Sequence, residues 1–292
     1  MLRAVFYASA CVAMLSCVGF AQEELLQMTT GAQKDLDPMI SPDGHMLAFS
    51  SNRTGDFNIF VYDYRKSGFF QLTESPKDDR HPNWSADSNR IVFTSRRTGN
   101  GDIFELDANT RSGNLQLTEL EDLEEYPSYA PKGQGLLFAR AAKRKLLRRE
   151  MNIVYMSPVA GGGPGRILAE GDEPRFSPDG EKIVFVSRRT KNNDIWLMNI
   201  DGSLQTQLTT SPKEDVNPCF SPDGKHIVFA SNRTGNYDIY IMDADGGNVR
   251  QVTSHPADET QPCWSREDCI YFVRKMDEKT SNIWRMRAPA MR

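Results

Sequence analysis

Cysteine and histidine are scarce in this sequence, and their scarcity excludes several classes of protein. Five cysteines and four histidines occur among 292 residues, and two of the cysteines lie in the apolar N-terminal segment. The three that remain, Cys219, Cys263 and Cys269, are too few and odd in number for a disulfide framework. The histidines are scattered and show no spacing typical of a metal site, so we predict no metal ligands and no cofactor.

Basic residues are also not in excess. The formal net charge is −4, whereas a nucleic-acid-binding protein needs a basic face, so we expect no nucleic-acid partner. The sequence contains no Gly-x-Ser-x-Gly element, the strained turn that exposes the nucleophile of many hydrolases. We therefore predict no catalytic residue.

One apolar run stands at the N-terminus. Arg3 is followed by Ala4–Phe20 without a charge, and small residues precede a cleavage position after Ala21. This pattern is typical of a secretory signal peptide over residues 1–21, and it predicts an exported protein with no transmembrane span after cleavage. Two alternatives stay open: an N-terminal membrane anchor, and a lipid-anchored form through Cys17, because Met14–Cys17 resembles a lipobox.

A turn element recurs along the rest of the chain. Its six copies begin at Ser41, Ser85, Ala130, Ser177, Ser221 and Ser265, at spacings of 44, 45, 47, 44 and 44 residues. Ser-Pro-Asp-Gly favours a hairpin, since proline presets the first turn angle and glycine accepts a positive φ. Runs such as Ile227–Ser231 are β-branched and aromatic, which predicts strands buried on both faces.

A four-stranded sheet that is covered on both faces and repeats at this period is typical of a propeller blade. We therefore predict an all-β fold, a six-bladed β-propeller of four-stranded blades over residues 22–292. The predicted repeats lie near residues 31–75, 76–120, 121–170, 171–211, 212–255, and 256–292 plus 25–30.

The two chain ends predict how the ring closes. The sixth copy stops without the Gln-Leu-Thr element that ends the other copies, and a matching Gln27-Met-Thr stands before the first copy. We expect the N-terminal strand, Leu25–Thr29, to complete the last blade beside Asn282–Arg287. Such pairing would remove an open sheet edge.

At Ser-Pro-Asp-Gly, Ile-x-Phe-x-Ser-Asn-Arg, Asp-Ile-Tyr and Gln-Leu-Thr, the sequence resembles the repeats of the TolB-like propeller family. The resemblance covers the chain from about Leu25 onward, although the third and sixth copies depart from it. It implies a periplasmic, six-bladed propeller that binds proteins at the mouth of its channel, among them a peptidoglycan-associated lipoprotein of the Tol–Pal system. Full TolB proteins carry a preceding α/β domain that we do not expect here, so membership of that system stays open.

The position before each strand-one proline departs from the repeat. It holds a different polar or amphipathic residue in each copy: Asp37, His81, Tyr126, Glu173, Asn217 and Gln261. These residues are placed where the chain enters the channel, so we predict that they bind the partner.

Two residues earlier stands an acid in five of the six copies: Asp35, Asp79, Glu124, Asp215 and Glu259, with Gly171 in the fourth. Such a ring of carboxylates could hold Ca²⁺ in the channel. The favoured alternative is structural, with each acid paired to an arginine of the loop between strands two and three: Arg53, Arg97, Arg189 or Arg233.

A basic insert distinguishes the third copy. It includes Arg144, Lys145 and Arg148, and an acidic loop, Glu119–Glu125, is expected nearby. Mutual neutralisation explains such a pair of segments, and a docking lip for a partner is the functional alternative.

These observations predict a monomeric, exported module that binds an envelope protein or peptide at the channel mouth. The alternative function is a carbohydrate-active enzyme, a lyase or glycosidase that uses acids of the channel mouth. It would need two carboxyl groups whose environments push their pKa values apart. A purely structural envelope protein is the third possibility.

Overall fold

The computed structural model describes residues 25–133, 135–141, 151–156 and 165–290, and all secondary structure in these ranges is β. The predicted signal peptide, residues 1–21, and the predicted docking lip, Arg144, Lys145 and Arg148, lie outside the described residues.

The described strands form six antiparallel sheets of four strands each. In chain order they are β1 Leu26–Gln27, β2 Asp35–Ile40, β3 Met46–Ser51, β4 Asn58–Asp63, β5 Gly68–Gln71, β6 Asp79–Trp84, β7 Arg90–Ser95, β8 Asp102–Asp107, β9 Leu115–Gln116, β10 Leu123–Tyr129, β11 Leu136–Ala141 and β12 Asn152–Met156. They continue as β13 Arg166–Glu170, β14 Asp172–Phe176, β15 Lys182–Ser187, β16 Asp194–Asn199, β17 Thr206–Gln207, β18 Asp215–Phe220, β19 His226–Ser231, β20 Asp238–Asp243, β21 Arg250–Gln251, β22 Glu259–Trp264, β23 Cys269–Lys275 and β24 Ser281–Arg287. Blade one is β2–β5, and each later blade takes the next four strands, except that blade six is β22–β24 with β1.

In blades one, two, four and five, a serine and an aspartate of the turn between the first two strands are hydrogen-bonded through their side chains. In blade five, Ser221 Oγ donates to Asp223 Oδ1 at 2.6 Å, and the Gly224 amide donates to Ser221 O at 2.9 Å. The fourth turn residue has a positive φ in all six blades, and it is not glycine in two of them, Ser88 and Asp268. The left-handed conformation belongs to the turn, and glycine is its least strained occupant.

The core is a set of contacts between neighbouring blades. A phenylalanine at the same point of each second strand is fully buried: Phe49, Phe93, Phe138, Phe185, Phe229 and Phe272. Apolar clusters join each blade to the next, and the cluster around Phe49 and Tyr271 joins blade one to blade six. A blade therefore buries its faces only when both neighbours are present.

The ring is closed by the N-terminal strand, as predicted. Leu26 pairs with Arg285 and Gln27 with Trp284, so β1 is the outermost strand of blade six. Beyond β1, the Met28 amide donates to Ile283 O at 2.8 Å, and the Ile283 amide donates to Thr29 Oγ1 at 2.9 Å. The prediction of a six-bladed, all-β propeller closed in this way is confirmed.

Cys219, Cys263 and Cys269 are free thiols. Over the described ranges, there is no helix whose length and apolarity would allow it to cross a membrane.

The hydrogen bond that Thr29 accepts gives a test of the closure. Thr73 accepts the same bond from the Ile59 amide at 3.0 Å, within a blade built from contiguous chain. Thr29→Val keeps the shape of the side chain but leaves a buried N–H without an acceptor. We expect it to lower the free energy of unfolding by about 1–3 kcal/mol, and Thr73→Val to do the same.

Urea unfolding monitored by tryptophan fluorescence measures both changes. Thr29→Ser, which keeps the hydroxyl, is the control. A full loss in Thr73→Val with none in Thr29→Val would show that β1 does not close the ring in solution.

Candidate binding site at the channel mouth

A β-bulge interrupts the first strand of each blade at the residue before its proline. In blade one the register slips between Leu36 and Met39, and the other blades slip at the matching point. The φ values of these residues are 55° at Asp37, 54° at His81, 55° at Tyr126, 51° at Glu173, 54° at Asn217 and 54° at Gln261. Residues other than glycine rarely adopt this conformation, so six strained residues stand at equivalent points.

These six residues, here called the mouth ring, are brought together around one cavity. It has a volume of about 40 Å³, and Pro38, Met39, Arg175, Pro218 and Pro262 complete its lining. A bulge re-aims a side chain, and here it brings one residue of every blade to the axis. The sequence prediction of a shared location therefore holds, while the binding role remains a prediction.

A relay of hydrogen bonds runs around most of the mouth ring, each side chain accepting the backbone N–H of the next blade. Glu173 Oε2 accepts from the Asn217 amide at 2.6 Å, and Asn217 Oδ1 accepts from the Gln261 amide at 3.2 Å. Gln261 Oε1 then accepts from the Asp37 amide at 2.9 Å, and Asp37 Oδ2 from the His81 amide at 3.4 Å. The relay joins blades four, five, six, one and two.

The relay stops at blade three. His81 and Tyr126 are in contact through their rings, with centroids 4.0 Å apart and planes 31° from parallel. Nδ1 of His81 is buried and has no hydrogen-bond partner among the described residues. One side of the mouth ring is therefore aromatic and retains unused hydrogen-bonding capacity.

The pKa values of Asp37 and His81 are both lowered, but by different causes. Burial alone would raise the pKa of Asp37, but the charge of Arg80, 3.2 Å away, with His81 and a hydrogen bond from Ser50, lowers it to about 2. Burial lowers the pKa of His81 to about 4, so its imidazole is neutral at neutral pH.

Glu173 and Arg175 form the other polar part of the site. Burial raises the pKa of Glu173 well above its usual range, and the neighbouring charge of Asp172 adds to the shift. Arg175 donates to Pro127 O at 3.4 Å, and within the described residues no carboxylate lies within 4.0 Å of its guanidinium.

Sequence reasoning missed Arg175. Two residues beyond each mouth-ring position the blades carry unrelated side chains, Met39, Asn83, Ser128, Arg175, Cys219 and Cys263. The rule that selected the mouth ring, departure from the repeat, would have selected this cation as well.

Comparison with known proteins identifies the fold. The family model described as the TolB beta propeller domain matches residues 16–161 and 165–291. The chain belongs to the TolB β-propeller family. No curated protein sequence matches it significantly.

Several solved structures share the fold. TolB from Acinetobacter baumannii has a TM-score of 0.67 and 23% identity over 80% of this chain, which spans 57% of that protein. A putative TolB from Agrobacterium tumefaciens has a TM-score of 0.67 and 20% identity, over 88% of this chain and 91% of that protein. An oligogalacturonate lyase from Vibrio parahaemolyticus has a TM-score of 0.64 and 13% identity, over 92% of this chain and 95% of the lyase. Likeness at this level of identity establishes the fold and leaves activity open.

In this TolB-type propeller, four of the five acids near the mouth are paired with arginines. The ion pairs are Asp35–Arg53 at 2.9 Å, Asp79–Arg97 at 2.8 Å, Asp215–Arg233 at 3.0 Å and Glu259–Arg274 at 2.6 Å. Each arginine also lies over an aromatic ring of its own blade, as Arg274 does over Trp284 at 4.3 Å. The structural alternative is thereby favoured over a calcium-binding ring. Among the described residues, no group of three or more His, Cys, Asp or Glu is arranged to hold a metal ion.

Two details of the predicted pairing were wrong. Among the described residues Arg189 forms no ion pair within 4.0 Å, and it instead donates to the main-chain oxygen of Glu170 at 2.8 Å. Its blade carries Gly171 at the acid position because a Cβ there would lie 2.6 Å from Val186 O. Arg274, the partner of Glu259, lies in strand β23 rather than in the loop between strands two and three.

Glu124, the fifth acid, is different. Its partner on the neighbouring strand of blade three is Arg140. In blade two the equivalent acid, Asp79, is opposite Ser95. Both carboxylate oxygens of Glu124 are buried without a hydrogen-bond partner in the part of the chain that is described. Burial, with the charge of Asp102 adding to it, raises the pKa of Glu124 to about 7.

This shift predicts a pH dependence of stability. The folded protein keeps a proton on Glu124 that the unfolded chain releases between about pH 4.5 and 7, so Glu124 lowers stability as pH rises through that window. Glu124→Gln has no such loss. We expect its stability relative to wild type to increase between pH 5 and 8 by at most about 3 kcal/mol.

Urea unfolding at pH 5, 6, 7 and 8 measures the difference. Thr29→Val, which changes stability without adding or removing a titratable group, is the control, and its difference from wild type should stay constant over this pH range. A constant difference between Glu124→Gln and wild type would contradict the raised pKa.

Proposed function

We propose that this protein is an exported TolB-like propeller of the cell envelope that binds a protein or peptide at the mouth ring. The observation that carries the proposal is the interruption of the relay at blade three. Around the other five blades, side chains of the mouth ring and backbone N–H groups are bonded to one another. At blade three the aromatic pair His81–Tyr126 meets Glu173 and Arg175 without such bonds.

The chemistry of this side is that of an interface anchor. Tyrosine and histidine combine an apolar body with a polar tip, and such residues supply much of the binding energy where they are rigidly held. His81 is nearly fully buried, and the strained bulges hold both residues in place. Little ordering entropy is lost when a partner packs on a site that is already fixed.

The family supports the remaining parts of the proposal. We propose a periplasmic location, with a lipid-anchored form through Cys17 as the alternative, and a monomer that captures an envelope protein. Arg144, Lys145 and Arg148 are proposed as a docking lip that acts on association rate and salt dependence.

A carbohydrate-active enzyme is the second candidate, and one observation favours it. Asp37 and Glu173 line the same cavity with pKa values moved in opposite directions, as acid–base pairs in glycosidases require. The cavity of about 40 Å³ has room for a few waters or one head group, which is too small for a sugar ring. Turnover of an oligosaccharide that is lost in Glu173→Gln would support this candidate.

The binding proposal is tested by capture from an envelope extract. Tyr126→Ala should weaken capture of the partner about tenfold or more, since it removes a central anchor. Lys225→Glu changes an exposed residue of a Pro-Asp-Gly turn at the opposite end, and capture should stay intact.

Thermal unfolding of both variants verifies that each is folded. The reverse pattern, with loss of capture in Lys225→Glu alone, would place the site at the turn end of the propeller.

A further inference from the structure

We propose that the mouth ring receives a carboxylate group of the bound partner, held by the guanidinium of Arg175 beside Tyr126. This inference rests on the proposed binding function and specifies the chemistry of that site. The carboxylate belongs to an acidic side chain or to a peptide C-terminus, two sources with the same head group.

The first argument is the balance of charge in the cavity. Asp37 is neutralised by Arg80, with Nη2 and Oδ2 3.2 Å apart, and His81 is neutral at neutral pH. The raised pKa of Glu173 favours its uncharged form. Arg175 lines the same cavity, and among the described residues its guanidinium forms no ion pair within 4.0 Å, since its charge reaches Glu173 only from a longer distance. This position favours an anion as the ligand.

The second argument is the supply of hydrogen-bond donors. A guanidinium carries five N–H donors in a planar fork that matches a carboxylate. One contact from Arg175 to protein is found in the described structure, the 3.4 Å bond to Pro127 O. The acceptors opposite are already in use, because Glu173 accepts from the amide and the side chain of Asn217 at 2.6 and 2.9 Å. Donors are therefore in surplus, and a ligand ammonium would meet a cation.

The third argument is size. A cavity of about 40 Å³ accommodates one head group of a few heavy atoms. A carboxylate fits this space while the rest of the partner remains outside the mouth. The aromatic pair His81–Tyr126 would contact the stem that carries the carboxylate.

The test uses capped peptides as probes. Acetyl-Gly-Ser-Gly-Glu-Gly-Ser-amide is compared with the same peptide containing Gln or Lys in place of Glu. Acetyl-Gly-Ser-Gly-Ser-Gly with a free C-terminus, compared with its amide, separates the two sources of carboxylate. Binding is followed through the imidazole resonance of His81 in NMR titrations of the whole protein at neutral pH.

We expect the Glu peptide or the free C-terminus to bind at least tenfold more tightly than its neutral match. Arg175→Gln should remove that preference, and Arg175→Lys should retain part of it. Arg287→Gln changes an exposed arginine at the turn end and is the matched control, so it should leave the preference unchanged.

Equal binding of charged and neutral peptides, tighter binding of the Lys peptide, no saturable shift with any probe, or a preference that survives in Arg175→Gln would each overturn the inference. Its failure is separable from failure of the proposed function. Partner capture that is lost in Tyr126→Ala but indifferent to Arg175→Gln would preserve binding at the mouth ring and reject the carboxylate.

Discussion

The bulge before each strand-one proline is the constraint on which the rest of the structure depends. Six sheets that converge on one axis bring their first strands into close contact, and a regular strand would alternate its side chains between the two neighbouring blades. The bulge breaks this alternation and turns one residue of each blade toward the axis. Its strain, of order 1 kcal/mol or more at each position, persists only where the surrounding packing compensates for it, and apolar clusters join each blade to the next.

Repetition and departure from repetition carry different information in this fold. The serine–aspartate turn, the acid–arginine–aromatic group and the threonine that accepts the strand-three amide recur because each blade must satisfy the same buried polar groups. Blades three and four depart from the repeat, and the ion pair between acid and arginine is missing from the described residues of both. In blade three Arg140 stands opposite Glu124, as Arg274 stands opposite Glu259. Arg140 forms an ion pair with Asp122 instead, and both Glu124 oxygens are left without a hydrogen-bond partner among the described residues. In blade four the close approach of Val186 O excludes the acid altogether.

The sequence was sufficient for the parts of the structure that follow from local pattern. The period and the turn chemistry predicted the six blades, and the unmatched Gln-Leu-Thr element predicted the closing strand. The mouth ring was located because its positions precede prolines. The relay could not be predicted because it depends on side-chain conformations across blade boundaries. The bond between Asp37 and Gln261 joins residues 224 apart in the chain. The environment of Glu124 could not be predicted because it depends on the contact that Arg140 makes with Asp122 instead.

The hydrogen bonds between Asp37 and Gln261 also contribute to closing the ring, because they join blade one to blade six. The chain runs from β1 of blade six directly into β2 of blade one, but noncovalent contacts alone hold β1 against β24, the last strand of the chain. At the outer rim β1 pairs with β24, in the middle the cluster of Phe49 and Tyr271 fills the interface, and at the axis Asp37 exchanges two hydrogen bonds with Gln261. The mouth ring is therefore part of the mechanism that closes the propeller, and a ligand that orders the mouth would stabilise the seam. The same side chains that form the candidate site also hold the two ends of the chain together.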